Sequence, residues 1–350
     1  MQLNKTEFLK HLERTEKCLP GKTSFQTMNN ILFKYGEAYQ LEANDLETFL
    51  STGEPGAEGE LLLPPKIINI VKNLPKEEIE LNIEENKVQL KSGKSKFNIQ
   101  AMSAEDYPRV DIQKLDKTFT FEGYELKNII RKTIFAASKD ESRPVFTGVL
   151  FEFGDSLKVA TSDTYRLAMQ EVDYTGEGTY IVPARSLAKL NGLIKDNDTV
   201  EMYPANNQIV FEFGEVVFAA RLLDEQYPDV SGVIPSESKT TVQVGREQLR
   251  DTLGRAALLA DHTEAVHINI GESMSVKVSS EYGEMSEEIE PVIEGEEIDV
   301  YLNVRFLLDA LKVIQEGTVE IHFAGPQAPV IMRGQVDENY LYLVLPIKRE

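Results

Sequence analysis

The 350-residue chain holds one cysteine, Cys18, and no tryptophan. A single thiol excludes a disulfide framework and leads to the expectation of a reducing, cytoplasmic setting. Cys18 itself reads as a small buried apolar residue rather than a nucleophile. The four histidines, His11, His262, His267 and His322, are scattered, and none has zinc-ligand spacing with a cysteine or another histidine. There is no G-x-S-x-G, no Walker phosphate loop and no Rossmann fingerprint. No catalytic residue, metal or cofactor is therefore expected. No apolar run is long enough to span a membrane, and no stretch reads as a signal peptide. Positive charge is scarce too: 37 Lys and Arg stand against 58 Asp and Glu, for a net charge of -21. That balance excludes non-specific nucleic-acid binding over the whole surface. The acidic run from Glu281 to Asp299 reads as a solvated face, since a charge run needs no ligand.

What the chain does contain is a long internal period. Val159-Ala160-Thr161-Ser162-Asp163-Thr164 follows a strand–turn–strand pattern, and Leu41-Glu42-Ala43-Asn44-Asp45-Leu46 has the same form. Asp45 to Asp163 is a step of 118, and Glu281 stands another 118 further on. Leu63-Pro64, Val182-Pro183 and Leu302-Asn303 each open a short amphipathic segment. Glu105-Asp106-Tyr107-Pro108 returns as Glu225-Gln226-Tyr227-Pro228. A common period near 120 is domain-sized and far exceeds the roughly 20–50 residues of solenoid repeats. Three similar tandem domains are expected, at 1–115, 116–236 and 237–350.

Each domain reads as helix, strands, helix, strands, an α+β unit. Helices are expected at Lys5–Cys18 with Asn4 as cap, Lys66–Asn73, Tyr124–Ser138, Pro183–Lys195, Arg246–Ala260 and Asn303–Ile314. Strands are expected at Met1–Leu3, Asn30–Tyr35, Ala38–Ala43, Leu61–Leu63, Glu78–Glu84, Lys87–Lys91 and Lys96–Ala101. Further strands are read around the Asp163 turn, at Thr199–Tyr203, Gln208–Phe213, Val216–Leu222 and Tyr340–Leu345. Val110–Lys117 and Gly232–Thr240 read as linkers. The turn acids need only bond nearby backbone amides, without any catalytic role.

Charge is not spread evenly. The six helical segments sum to +10, which leaves -31 on the rest of a chain of net charge -21. If the helices share one side, that side attracts a phosphate backbone while the outside repels it. Lys10, Arg14, Lys127, Arg131, Lys189 and Arg250 are the candidate contacts, with Lys22 and Arg143 on nearby loops. No aromatic platform or base-reading motif accompanies them, so the contact is expected to ignore sequence.

Several segments carry a resemblance. Ala160-Thr161-Ser162-Asp163-Thr164-Tyr165-Arg166-Leu167-Ala168, Ser142-Arg143-Pro144-Val145-Phe146-Thr147-Gly148-Val149 and Tyr227-Pro228-Asp229-Val230-Ser231-Gly232-Val233-Ile234-Pro235 resemble A-T-D-x-H-R-L-A, S-x-x-R-P-I-L-T-G-V and Y/F-P-D-x-x-x-V-[IL]-P. Asn303-Val304-Arg305-Phe306 and the terminal Leu345-Pro346-Ile347-Lys348 match in the same way. These are motifs of the bacterial DNA polymerase III beta subunit, the sliding clamp family. Departures are Tyr165 for the usual His, Phe306 for Tyr and Lys348 for Arg. The resemblance implies a head-to-tail homodimeric ring, helices around duplex DNA, sheets outside, and no catalysis. It implies the polymerase III alpha subunit, other polymerases and the clamp loader as partners. They would dock peptides in a cleft of Phe146, Ser162, Thr164, Tyr165, Arg166, Leu167, Pro228, Val233, Asn303, Phe306, Leu345, Pro346 and Ile347, with Arg166 as a polar handle. An acidic interaction scaffold, a hydrolase with an acidic metal site, and a phage-borne or paralogous clamp remain alternatives.

Overall fold

In the computed structural model, residues 1–21, 23, 25–54, 58–112 and 118–348 are described. The first third runs Gln2–Asn4 (β1), Lys5–Glu16 (α1), Ile31–Tyr35 (β2), Tyr39–Asn44 (β3), Thr48–Gly53 (β4), Gly59–Leu63 (β5), Lys66–Lys72 (α2), Glu78–Glu84 (β6), Lys87–Ser92 (β7) and Ser95–Gln100 (β8). The second runs Phe119–Glu122 (β9), Gly123–Thr133 (α3), Gly148–Phe153 (β10), Leu157–Ser162 (β11), Arg166–Val172 (β12), Gly178–Pro183 (β13), Ala184–Asn191 (α4), Thr199–Ala205 (β14), Gln208–Phe213 (β15) and Val216–Arg221 (β16). The last runs Thr240–Gly245 (β17), Arg246–Ala257 (α5), Ala265–Ile270 (β18), Met274–Ser280 (β19), Gly283–Ile289 (β20), Val292–Gly295 (β21), Ile298–Asn303 (β22), Val304–Val313 (α6), Thr318–Phe323 (β23), Val330–Gly334 (β24) and Tyr340–Val344 (β25). The same α+β order thus occurs three times, with β21 the one interpolation.

The chain packs as two compact units, Met1–Lys127 with Arg185–Leu222, and Asn128–Ala184 with Leu223–Glu350. The first holds an eight-stranded sheet in the order β5-β2-β3-β4-β16-β15-β14-β9 and a four-stranded sheet β1-β6-β7-β8. The second holds a nine-stranded sheet β13-β10-β11-β12-β25-β24-β23-β17-β21 and a four-stranded sheet β20-β19-β18-β22. In each large sheet, strands of two successive repeats join edge to edge. β4 pairs antiparallel with β16, Thr52 opposite Val216, and β12 pairs with β25, Arg166 opposite Val344.

Local chemistry explains the element ends. Asn4 Oδ1 accepts from Glu7 N at 3.0 Å and so caps α1, which buries Phe8 and Leu12. Asn303 Oδ1 accepts from the amides of Arg305 and Phe306 and caps α6. α3 stops at Thr133, short of the expected Ser138, and passes into a 3₁₀ turn at Ile134–Ala136. The Phe135 carbonyl, which a longer helix would use internally, instead accepts from Arg166 Nη2 at 2.8 Å. β4 escapes the sequence pattern because Thr48–Ser51 and Thr52 are all buried, so no alternation marks it. The segment expected to be a polar link packs two apolar side chains, Val110 and Ile112, against Phe49, Tyr203 and Val210.

Two of the hydrophobic cores formed by the described residues each lie within one unit. Phe8, Leu12, Phe33, Leu63, Ile67 and Leu90 belong to one; Val242, Leu253, Val276, Leu307, Phe323 and Tyr342 belong to the other.

Candidate peptide cleft and nucleic-acid interface

The recurrent turn is real at two of its three places. Asp45 Oδ1 accepts from the amides of Glu47 and Thr48, and Asp163 Oδ1 from those of Tyr165 and Arg166. Leu46 and Thr164, the residues after the acids, take φ of 73° and 77°. An acid bonding its own turn offsets that left-handed backbone. The third copy is built differently: β19 and β20 meet at Ser280 and Gly283, and Gly283 takes a φ of 142°.

Around Asp163 the second unit gathers most of the expected cleft. Phe146 and Leu167 share an apolar cluster with Tyr227, Val230, Ile234 and Leu343. The Tyr227 hydroxyl accepts from Ser162 N at 2.8 Å, and burial pushes its phenol up from the ordinary value. Ser162 Oγ donates to Arg166 O and accepts from Thr164 N. Leu345 N donates to Tyr165 O at 2.9 Å, and Ile347 N to Tyr301 O at 2.7 Å, so the terminal segment is pinned at both ends by main chain. Tyr165 and Leu345 are exposed; Pro346 and Ile347 are half-buried. Val233 and Pro228 are exposed, and the neighbouring Val230 and Ile234 form the wall instead. Tyr227 went unassigned in the sequence, although its recurrence after Tyr107 was the available signal.

Arg166 is not a free handle. Its Nε donates to Asp163 Oδ2, its Nη1 to Asp309 Oδ2, both at 2.9 Å, and its Nη2 to the Phe135 carbonyl. The guanidinium lies 4.3 Å from the Phe306 ring centroid, and its side chain is 10% exposed. Held this way, it fixes Phe306 and the start of α6 beside the turn. Asp309 and Phe135 are therefore positioning residues that sequence reasoning missed, and Asp163, expected as the turn acid, also takes Arg166.

The candidate DNA contacts divide by environment. Lys10, Arg143 and Arg250 are exposed, while Arg14, Lys127, Arg131 and Lys189 are half-buried. Lys127 pairs with Asp196 at 2.5 Å, Arg250 with Glu247 and Asp251, and Arg131 donates to Asn128 Oδ1. Arg14 donates to Thr52 Oγ1 at 3.4 Å. Lys189 is committed to Asp45 at 2.5 Å and to Thr48 Oγ1, a structural pair rather than a free cation. Lys22 lies outside the described residues. Cys18 is buried, and burial pushes its thiol up to about 11, as expected for an inert core residue. Among the described residues no helix is long and apolar enough to cross a membrane.

Family comparisons match this architecture along the whole chain. The N-terminal, central and C-terminal domain models of the DNA polymerase III beta subunit match residues 1–111, 120–229 and 231–348. The chain belongs to the DNA polymerase III beta subunit family. It is 30% identical to the beta sliding clamp of Halalkalibacterium halodurans, with 97% of each chain covered. It is 31% identical to that of Bacillus subtilis over 83% of this chain and 80% of the relative. Among solved structures, the beta subunit of Streptococcus pyogenes superposes with a TM-score of 0.95 at 26% identity, covering 99% of both chains. The Thermotoga maritima beta subunit gives 0.91 at 29% identity, covering 100% of this chain and 99% of that one.

Proposed function

We propose that this chain is a sliding clamp in which two copies close head to tail around duplex DNA and hold polymerases and other DNA-processing proteins there. The observation that carries the reading is the pattern of joined and open strand edges. Within the chain, the last strand of one repeat pairs with the third strand after the first helix of the repeat before it, as β16 with β4 and β25 with β12. The remaining strands of those two kinds are β8 and β20, and both stand at open edges of the described sheets. Open edges invite pairing with another chain, and β8 of one copy against β20 of a second completes the series. The charges agree: Lys96 is exposed on β8, and Glu284 and Glu288 on β20. Beside β20, Tyr282 is 76% exposed and available to cover apolar surface on the second copy. Two such contacts related by a two-fold axis close a ring.

The domain limits proposed for this ring are 1–115, 116–236 and 237–350. Lys10, Arg14, Lys127, Arg131, Arg143 and Arg250 are the proposed phosphate contacts, read by charge and not by base sequence. Phe146, Leu167, Val230, Ile234, Phe306, Leu345, Pro346 and Ile347 are the proposed walls of a groove for an extended apolar peptide from the polymerase or clamp loader, with Ser162, Thr164, Tyr165, Pro228, Val233 and Asn303 at its rim and Arg166 bracing it. The chain carries out no catalysis in this reading and works in the cytoplasm. Solution mass and DNA retention test it together. The expected results are a particle of twice 39.4 kDa and retention on nicked circular DNA after loading, with release when the circle is cut. A monomer that never remains on circular DNA overturns the proposal.

A further inference from the structure

Three side chains converge in the first unit that neither the cleft nor the open edges use. Glu7 and His11 stand one helical turn apart and so share a face of α1. Glu215 sits in the two-residue turn between β15 and β16. The pairing of β16 with β4 brings that turn to the helix, with Val216 opposite Thr52. One donor atom from each of the three lies within 4.8 Å of the others. His11 Nε2 and Glu215 Oε2 are 3.1 Å apart. His11 is 2% exposed, whereas both carboxylates reach solvent.

The surroundings favour a cation. A His11–Glu215 hydrogen bond needs one carboxylate; the second, Glu7, adds negative charge that this bond does not require. The Tyr39 ring lies 5.6 Å from the imidazole. The cations of α1 that act on the imidazole are Arg14 and Lys10, and Arg14 donates to Thr52 Oγ1. On the far side of the imidazole, Nδ1 is buried without a hydrogen-bond partner. Gly53, at φ +96°, makes room there: a Cβ on it would stand 3.4 Å from Nδ1 and 2.5 Å from the Tyr39 carbonyl oxygen. The ring is thus seated by the strands, with Nε2 turned to the carboxylates.

We propose that Glu7, His11 and Glu215 form a binding site for one divalent transition-metal ion, with Zn²⁺ the ion that this donor set suits best. One imidazole nitrogen and two carboxylates neutralise the charge and leave a fourth position for water. An imidazole donor selects against Mg²⁺ and Ca²⁺, which take oxygen ligands. Metal–ligand bonds of about 2.0–2.2 Å require the donor atoms to close up slightly, and Glu7, exposed on its helix, has the rotamer freedom to do so. The bound ion ties α1 to the β15–β16 turn. Sequence spacing could not show this, because His11 and Glu215 are 204 positions apart.

The test uses the full-length, untagged chain stripped with chelator, with Zn²⁺, Co²⁺ and Mg²⁺ as probes. The expected result is one Zn²⁺ per chain with a raised melting temperature, a tetrahedral Co²⁺ absorption band, and no response to equal Mg²⁺. Glu7→Gln and Glu215→Gln should each weaken Zn²⁺ affinity at least tenfold, whereas Glu284→Gln, on the acidic strand β20 of the second unit, should not. Absence of both the Zn²⁺ shift and the Co²⁺ band in the unmodified chain overturns the proposal. Equal Zn²⁺ uptake by the chain and both Gln variants also overturns it, as adventitious binding to the acidic surface.

Discussion

At the scale of single residues, Arg166 shows how one side chain can be read correctly by motif and wrongly by role. Its place after the Asp163 turn suggests a donor reaching for a peptide. Its actual partners are Asp163, Asp309, the Phe135 carbonyl and the Phe306 ring. Arg166→Ala takes the guanidinium from two half-buried carboxylates, but Asp163 keeps its turn amides and Asp309 keeps Lys312, so the cost is that of lost charged hydrogen bonds, about 1–3 kcal/mol. We expect that loss in urea denaturation, together with weakened peptide binding as Phe306 is released. Arg166→Lys should recover little of it, because a point charge cannot serve three directions at once. Leu345→Ala and Ile347→Ala behave differently. These side chains lie at the surface of the terminal segment, so peptide affinity measured by fluorescence anisotropy should fall by about 2 kcal/mol per buried anchor. The melting temperature should stay nearly constant; an early-melting double variant with normal peptide affinity would assign both residues to the core.

At the scale of elements, the second helix of each later repeat meets the turn of the repeat before it. On α4 the contact is Lys189 to Asp45; on α6 it is Asp309 to Arg166. Lys189 and Asp309 are 120 positions apart, so the same place carries opposite charge in the two repeats. In the first case the turn acid takes the helix residue directly. In the second, Arg166 neutralises Asp163 through Nε and turns its Nη1 to the helix, where an acid and not a lysine can accept it. Burial works against the charged form of Asp45, but the bonds from Lys189 and Thr48 outweigh it and hold the carboxyl below its ordinary 3.8. A lowered carboxylate stabilises the fold fully above pH 3.8, and that stabilisation is lost as pH falls from there through the lowered folded value. Lys189→Met should therefore lower stability by roughly 2 kcal/mol at neutral pH and flatten the acid limb of a pH series of urea midpoints. An unchanged acid limb would show that the pair contributes nothing.

At the scale of the whole molecule, the reading depends on which edges are left open. Tyr282 stands beside the open strand β20 with 76% of its surface exposed. Tyr282→Glu places a charge in the proposed contact between copies, and sedimentation should show a shift from dimer to monomer with no change in melting of the separate chain. Screening should weaken direct contact with DNA as well. Phosphate contacts release counterions, so affinity for linear duplex should fall steeply with salt and be the same for unrelated sequences. Topological retention of the closed ring on circular DNA should persist at salt concentrations that abolish linear binding. Loss of both together would mean that charge alone, and no ring, holds the DNA.

The threefold period, the six helices, the α+β class and the family were all legible in the chain by itself. Each rests on local chemistry: caps such as Asn4 and Asn303, the Asp45 and Asp163 turns, and apolar spacing that needs no distant partner. Strand β4 was not legible, because burial on both faces removes the alternation that marks a strand. Nor was the end of α3, which a carbonyl bond to Arg166 from 31 residues away sets. The employment of Lys189 and Arg166 as internal ion pairs, the open edges at β8 and β20, and the meeting of His11 with Glu215 were decided only by the tertiary structure. In each case the deciding partner lies far along the chain, and no local propensity carries information about which distant residue a side chain will face once the sheets have paired.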